Sequence, residues 1–417
     1  MEIIGTVVIA IVMLCAVAGA VASCFRDDEG LGKEFLAGLH SIGYIFIPVA
    51  GIMASLPYLQ QIVRVVFGAA YSSIGADPAM AATSFIAVDM GGYQLAQRLA
   101  ATRESWIMAM MAGYMAGATI VFSIPVGLAM LQKRDHKYMA LGVMSGLLSI
   151  PLGVGIASAL LVLLQPDVRV DAATQATAAT ATLGLTWGTL LLNLLPLAIL
   201  VSALALGLRL FPDAMIRGFM AFGRGLDIIL KLVLAFSIVQ YFTHIFGDYW
   251  GFDPIIGVED TAAPLRALEI AGYIGIMLAG AFPMVYLLQK YLAGPIGRLG
   301  NRLGLAPEGA AGLLAAAANI LAMFRLVKDM RPKDKVLVIA FSVCSAFLFG
   351  DHLSFTANFQ PNLILAVMLG KLGGGACGFL IAYRLSVPKA LELAEKEVSE
   401  SVPCDEMRDP EMATVPI

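Results

Sequence analysis

A chain of 417 residues that is 59% hydrophobic and only 14% charged lacks the polar groups to coat a water-facing surface, since soluble domains carry about 25% charge. Its apolar residues come in runs of roughly 20, the length that crosses a bilayer, so lipid is its solvent. The net charge of −3 and the lack of a basic stripe argue against nucleic acid as a partner.

Five cysteines (Cys15, Cys24, Cys344, Cys377, Cys404) form no CxxC pair, and four histidines (His40, His136, His244, His352) are scattered. That pattern indicates no disulfide framework, no metal site and no cofactor.

In chain order, apolar segments fall near 3–23, 36–57, 78–100, 105–131, 138–164, 183–211, 226–247, 267–291, 310–328, 335–357 and 360–383. The first is preceded by no Lys or Arg and exceeds a signal h-region, so Val21-Ala22-Ser23-Cys24 reads as the end of a retained span, not a cleavage box. The third holds Asp89-Met90-Gly91-Gly92 at its middle, and the fourth is broken by Pro125. A Thr-rich loop, 166–182, and an acidic loop, 248–266, are the longest polar connections, and neither is large enough to be a domain. The polar end, 384–417, cannot bury a core and is expected to be disordered after a short helical stretch.

The chain repeats itself. Gly43-Tyr44-Ile45 returns as Gly272-Tyr273-Ile274, a shift of 272 − 43 = 229, and Ala50-Gly51, Gly75 and Pro78 return at the same shift as Ala279-Gly280, Gly304 and Pro307. Leu141-Gly142 returns as Leu369-Gly370, a shift of 369 − 141 = 228. This predicts an all-α polytopic membrane protein of about 9–11 transmembrane segments, built from two five-segment repeats. Residues 1–165 form the first repeat, 166–225 a linking loop and span, 226–385 the second repeat, and 386–417 a disordered cytoplasmic tail.

Loop charge sets the topology. Lys133, Arg134 and Lys137 place the loop after the fourth segment in the cytoplasm, which leaves 166–182 and 248–266 outside. The loops on both sides of 310–328 are basic, holding Lys290, Arg298 and Arg302 before it and Lys328, Arg331, Lys333 and Lys335 after it. A re-entrant hairpin at about 307–330 satisfies both, and its repeat mate 78–100 has glycines suited to a hairpin tip. Each repeat then has four true spans, and the linking span makes five, so the repeats are inverted, a recurring plan of secondary transporters. This arrangement leaves Arg98 and Arg103 outside, against the charge rule.

Charges inside membrane segments cost about 2.5–3.5 kcal/mol or more near a helix centre and mark functional sites. Asp89, Asp351 and Lys371 stand out, whereas Lys231 lies near a segment end, where it can snorkel to water. Asp351 and Lys371 can form a structural ion pair, which still leaves Asp89 without a cationic partner. Two carboxylates and one lysine leave a net −1, suited to one bound cation: an organic ammonium, Na⁺ or H⁺. His352 can relay a proton beside Asp351 or serve as a structural hydrogen-bonding group. Asn319 stands near the second hairpin tip, as a polar counterpart of Asp89 or as a cap. Ser123 precedes Pro125, whose helix break frees carbonyls that line a cavity or simply kink the helix. Asn193, near Pro196, reads as helix glue, and the aromatic residues and methionines read as core and lipid filler. Gly350-Asp351 lacks the first glycine of the GxGD element of intramembrane aspartyl proteases, and no hydrolase or nucleotide-binding motif appears, so an enzyme is not indicated.

The stretches Asp89-Met90-Gly91-Gly92-Tyr93, Thr119-Ile120-Val121-Phe122-Ser123-Ile124-Pro125, Leu141-Gly142-Val143 and Gly350-Asp351-His352-Leu353 resemble the ethanolamine-utilisation permease family, EutH, over about 1–385. One departure is Ala318-Asn319-Ile320-Leu321-Ala322-Met323, where the family pattern is Asn-Asn-Ile-Pro-Met. The resemblance implies a multi-pass permease of the bacterial inner membrane that feeds ethanolamine catabolism; the alternative is an ion-coupled carrier of another small amine or amino acid. Ethanolamine is mostly a cation at neutral pH. The expected contacts are Asp89 with the ammonium and Asn319, Ser123 or Thr119 with the hydroxyl, with Asp351 and His352 second candidates for substrate or coupling. Small-residue faces leave room for a homodimer.

Overall fold

In the computed structural model, residues 2–174, 178–247, 249–256 and 266–401 are described. The chain opens with α1 (Glu2–Ser23) and α2 (Gly30–Ala54). Pro57, which has no N–H to give back to the helix, ends α2 at Ser55, and the chain continues as α3 (Leu56–Val63) and α4 (Ala69–Ser73). Two short helices follow, α5 (Ala79–Phe85) and α6 (Gly92–Leu99). Next comes a broken passage of α7 (Arg103–Ala112), a π-helical stretch Gly113–Ser123, and α8 (Ile124–Met130). Helices α9 (His136–Leu147) and α10 (Ile150–Leu164) lead to a short antiparallel pair, β1 (Asp167–Arg169) and β2 (Thr180–Thr182). Then come α11 (Trp187–Leu210), α12 (Pro212–Thr243) and α13 (Ala267–Arg302). A second pair of short helices, α14 (Pro307–Ala318) and α15 (Ile320–Val327), precedes a second broken passage, α16 (Pro332–Ser345) and α17 (Asp351–Phe359). Helices α18 (Ile364–Leu385) and α19 (Val387–Ser401) end the described chain.

Eight stretches among the described residues are long and apolar enough to cross a membrane. The α16–α17 passage is not one of them, because its break at 346–350 splits it into two short helices. The protein is thus an all-α, multi-pass membrane protein. The α7–α8 passage is almost wholly buried and lies at the centre, whereas α12 turns most of its surface outward, to lipid.

The segments 78–100 and 307–330 both turn back to the face they came from. At the mouth of the first, the Asp77 carboxylate accepts from the Ala79 amide (2.9 Å) and from the Ala101 amide (2.8 Å), which ties the end of the hairpin to its start. Asn193 of α11 locks this corner by accepting from the Asp77 amide at 2.7 Å. At the mouth of the second, Asp334 accepts from the Ala306 amide at 3.0 Å and pairs with Arg331 at 2.9 Å. Arg331 and Lys333 each donate to the Gly304 carbonyl at 3.2 Å. The first mouth lies beside the outer loops, where Gln97 reaches Asp171 and Arg98 pairs with Asp253. That pairing accounts for a basic residue on the outer side: its partner is an acid of the 248–266 loop. The second mouth lies on the opposite, basic face.

The element order of 2–164 recurs in 212–385: two long helices, a hairpin, a broken passage, a return. Gly75 and Gly304, which the shift of 304 − 75 = 229 brings into register, both hold φ at 72°, a left-handed turn into the hairpin that only glycine makes without strain.

Two boundaries differ from the sequence reading. The seventh span begins at Pro212, not at 226, because Arg217 and Arg224 interrupt the apolar run without ending the helix. Where disorder was expected from 386 after a short helical stretch, helix runs over Val387–Ser401, with Val387 and Ala390 buried against the ends of α16 and α18 on the basic face; residues 402–417 lie outside the described residues. Under this helix, Lys335 and Asp135 form a buried pair at 2.5 Å that joins α16 to the start of α9. Glu397 accepts from Tyr138 at 2.9 Å and pairs with Lys137 at 2.5 Å. The Lys137 contact holds the Glu397 carboxyl below its ordinary value of 4.5. A lowered carboxyl contributes to docking above the ordinary value and loses that contribution as pH falls through the lowered one. Hydrogen exchange of 387–401 is therefore expected to stay slow at pH 5–7 and to quicken only below the ordinary carboxyl range, and Glu397→Gln is expected to abolish that pH dependence.

Candidate functional site

The two hairpin tips line one cavity of about 1010 Å³. At its deep end stand Ala87, Asp89 and Met90 of the first tip, Asn319 and Leu321 of the second, and Phe347, Asp351 and His352 of the second broken passage. From there the cavity runs past Ser41 and His40 of α2, Pro125 and Ala129 of α8, and Arg224, Asp227 and Lys231 of α12. Ala129 lies one turn from the Lys133–Asp135 corner, so this part of the lining is the one nearer the basic face.

Local structure explains how each polar group gets there. The first tip breaks after Phe85, runs extended through Ile86 and Ala87, and makes a single 3₁₀ turn, Val88–Met90. Gly91 then takes φ 93°, where a side chain would be strained and would also strike Ile52. This turn presents Asp89 to the cavity. Among the described residues, its carboxylate bonds only its own backbone. The second tip is sharper: Asn319 alone is extended (φ −152°, ψ 118°), and its Oδ1 caps α15 by accepting from Leu321 at 2.8 Å. The capping role expected as an alternative is thus present, and it leaves the side-chain NH₂ to face the cavity. Asp351 opens α17, and its carboxylate has no hydrogen bond or ion pair among the described residues. Asp89 and Asp351 lie within electrostatic reach of each other. His352 is 1% exposed, and its Nδ1 is buried without a partner, beside the rings of Tyr114 (4.9 Å) and Phe347 (5.4 Å).

Three expectations do not hold in this geometry. Asp351 and Lys371 form no ion pair: Lys371, 0% exposed, donates its ammonium to the Tyr114 carbonyl at 2.9 Å, and the carboxylate within its electrostatic reach is Asp89. A backbone carbonyl in a π-helical stretch serves the lysine where a carboxylate was expected. Thr119 and Ser123 do not reach the cavity either. Thr119 donates to Val343 O at 2.8 Å and Ser123 to Ala118 O at 3.2 Å, and both face a narrow void between α8, α9, α15 and α16.

The outer side is shut. Phe355 and Phe359 stack at 4.4 Å, Phe355 meets Tyr93 at 5.5 Å and Tyr114 at 6.3 Å, and Tyr93 stacks on Trp106 at 4.6 Å. Above these rings Gln360 donates to the Tyr93 hydroxyl (2.8 Å) and accepts from the Arg169 amide (2.9 Å). The Arg169 guanidinium donates to the carbonyls of Asn358 and, at 2.8 Å, Ala173. Sequence reasoning passed over Arg169 and Gln360, which lie in a loop and a helix end with no motif around them.

Comparison with known proteins bears on this site. The family model described as "Ethanolamine utilisation protein, EutH" matches residues 4–385. A protein of Listeria monocytogenes named "Probable ethanolamine permease EutH" is 34% identical over 388 residues, covering 92% of this chain and 95% of that one. The Escherichia coli protein of the same name is 35% identical over 384 residues, covering 90% of each. "Uncharacterized protein YxeR" of Bacillus subtilis is 32% identical over 387 residues, covering 92% and 95%. No solved structure matches. With a family match across nearly the whole length and a cavity reaching between two hairpins in a bundle of membrane-spanning helices, this chain is a multi-pass bacterial inner-membrane transporter that belongs to the EutH family of ethanolamine utilisation proteins.

Proposed function

We propose that this protein carries protonated ethanolamine across the inner membrane and supplies its catabolism. The observation that carries this reading is the pair Asp89 and Asp351, two carboxylates at the closed end of one cavity and without an ion-pair partner among the described residues. With Lys371 buried behind them they leave a net −1, which one ammonium neutralises. Asp89 replaces the water that the ammonium loses. The Asn319 NH₂ donates to the hydroxyl oxygen, and His352, in the wall of the same cavity, completes the polar lining. The names borne by the relatives from Listeria and Escherichia coli support ethanolamine over other small amines.

The two element sets, with hairpins entering from opposite faces, support an inverted-repeat carrier that exposes one site to each side in turn. We read the conformation described as one whose site is reached from the cytoplasm, a reading supported by the hydrogen-bonded Arg169–Gln360–Tyr93 cluster over the outer end. For substrate to enter from outside, that cluster has to part. In a cysteine-free background carrying Met90→Cys, an impermeant thiol reagent applied outside is expected to label slowly. Adding Arg169→Ala is expected to raise the external rate several-fold, as loss of two to three hydrogen bonds to a buried arginine shifts such an equilibrium by about 1–3 kcal/mol. An unchanged rate would place the outer gate elsewhere.

The substrate is tested by counterflow in proteoliposomes at pH 6, where leak of the neutral amine is small. Internal ethanolamine is expected to accelerate entry of labelled ethanolamine, and glycine, alanine and small diamines are expected to compete poorly. Strong acceleration by an amino acid, with none by ethanolamine, would replace this reading by the other-substrate one.

A further inference from the structure

Phe347 is one of three non-glycine residues with positive φ among the described residues, at 59°, and it is a bulky residue in the left-handed region. Such strain persists only where surrounding structure enforces it, and it concentrates at functional sites. Here the enforcement is visible. The Phe347 amide donates to Ala316 O (3.2 Å) and the Phe349 amide to Ala317 O (2.9 Å), so the break in the second passage is pinned to the second hairpin. The amides of Gly350 (3.2 Å) and His352 (3.3 Å) return to the Phe347 carbonyl. A break alone does not need phenylalanine at the strained position, since Gly350 stands three residues further on. What the strain secures is the ring. It sits in the cavity wall, 5.7 Å from the Phe122 ring and 5.4 Å from His352, at the same closed end as Asp89 and Asp351.

An aromatic face attracts a cation through its quadrupole and, unlike a carboxylate, asks for no N–H donor. We propose that Phe347, with Phe122 beside it, is the cation-facing wall of the ammonium site, and that the protein therefore also carries N-methylated amino alcohols. This rests on the reading of the cavity as an ammonium site. Two carboxylates supply charge, the rings accept methyl groups in place of N–H bonds, and a cavity of about 1010 Å³ leaves room for them.

The test is competition against labelled ethanolamine uptake in proteoliposomes, using N-methylethanolamine, N,N-dimethylethanolamine and, as an uncharged control, ethylene glycol. The methylated amines are expected to compete within about threefold of ethanolamine itself, and the glycol not at all. Phe347→Leu is expected to weaken ethanolamine and the methylated amines alike, the methylated ones more, by about tenfold, because they have fewer N–H groups to give Asp89 and Asp351 in place of the lost ring. Phe347→Gly removes the ring and also relieves the backbone, so it separates the ring's role from folding and is expected to behave like Phe347→Leu. Phe347→Tyr is expected to retain the wild-type order. Ethanolamine uptake that methylated amines do not inhibit overturns this inference and leaves the ethanolamine reading standing. Should the wild type take up no ethanolamine, the parent reading fails. Protection of the purified protein from heat by N,N-dimethylethanolamine, lost in Phe347→Gly, then still supports the aromatic wall, and its absence overturns that too.

Discussion

Asp89→Asn is expected to weaken ethanolamine binding to the purified protein by about thirtyfold or more. The substitution keeps the size of the side chain and removes its charge, which leaves Lys371 and Asp351 to set a site of net zero. Truncating one partner of a desolvated charge pair costs about 2–5 kcal/mol, and about 1.4 kcal/mol is tenfold in affinity. Asp89→Glu keeps the charge but lengthens a side chain presented by a single 3₁₀ turn, so it is expected to fall between the two. The loss is specific to Asp89 if the Asp89→Asn protein unfolds at the wild-type temperature. That is expected because, among the described residues, this carboxylate hydrogen-bonds only its own backbone, and the buried Lys371 ammonium within its electrostatic reach keeps its bond to the Tyr114 carbonyl. Binding unchanged within threefold would move the ammonium to Asp351.

The second large effect is on assembly. Asp77→Ala removes the acceptor of the Ala79 and Ala101 amides at the hairpin mouth. Asp77 is 7% exposed, so water replaces it poorly. The Ala79 donor is buried and its orphaning costs about 1–3 kcal/mol, whereas the part-buried Ala101 donor can turn to water and adds less, so a total of about 1–4 kcal/mol is expected, read as a clear drop in the unfolding temperature in detergent or as lost membrane insertion. Asp77→Asn retains one acceptor oxygen and is expected to lose about half of that. Asn193→Ala, which removes the group that accepts from the Asp77 amide, is expected to loosen the same corner. A hairpin that tolerated Asp77→Ala without loss would mean that its packing alone holds it in place.

Much of this architecture is legible in the sequence because lipid makes two demands that sequence displays directly: apolar length and charge-free spans. The conflict between two basic loops around 310–328 had one geometric solution, a hairpin, and Gly91 beside Asp89 marked its mate. Burial cost likewise singled out Asp89 and Asp351, which line the same cavity along with Asn319 and His352. What failed depended on rotation about a helix axis and on backbone partners. Thr119 and Ser123 lie in an eleven-residue π-helical stretch, where 3.6-residue spacing no longer says which face a side chain takes. Lys371 looked like the partner of Asp351 because side-chain charges are visible in a sequence and a freed carbonyl at Tyr114 is not. Phe347 carries no signal at all: among 21 phenylalanines in an apolar chain, only its backbone angle and its neighbours set it apart.

Whether Asp89 holds the ammonium during transport is decided by initial-rate uptake of labelled ethanolamine into proteoliposomes at pH 6, set against empty liposomes and against liposomes holding Asp89→Asn. Saturable uptake is expected for the wild type and, for Asp89→Asn, a rate no greater than that of empty liposomes. Wild-type uptake no faster than in empty liposomes, or undiminished uptake by Asp89→Asn, would contradict it.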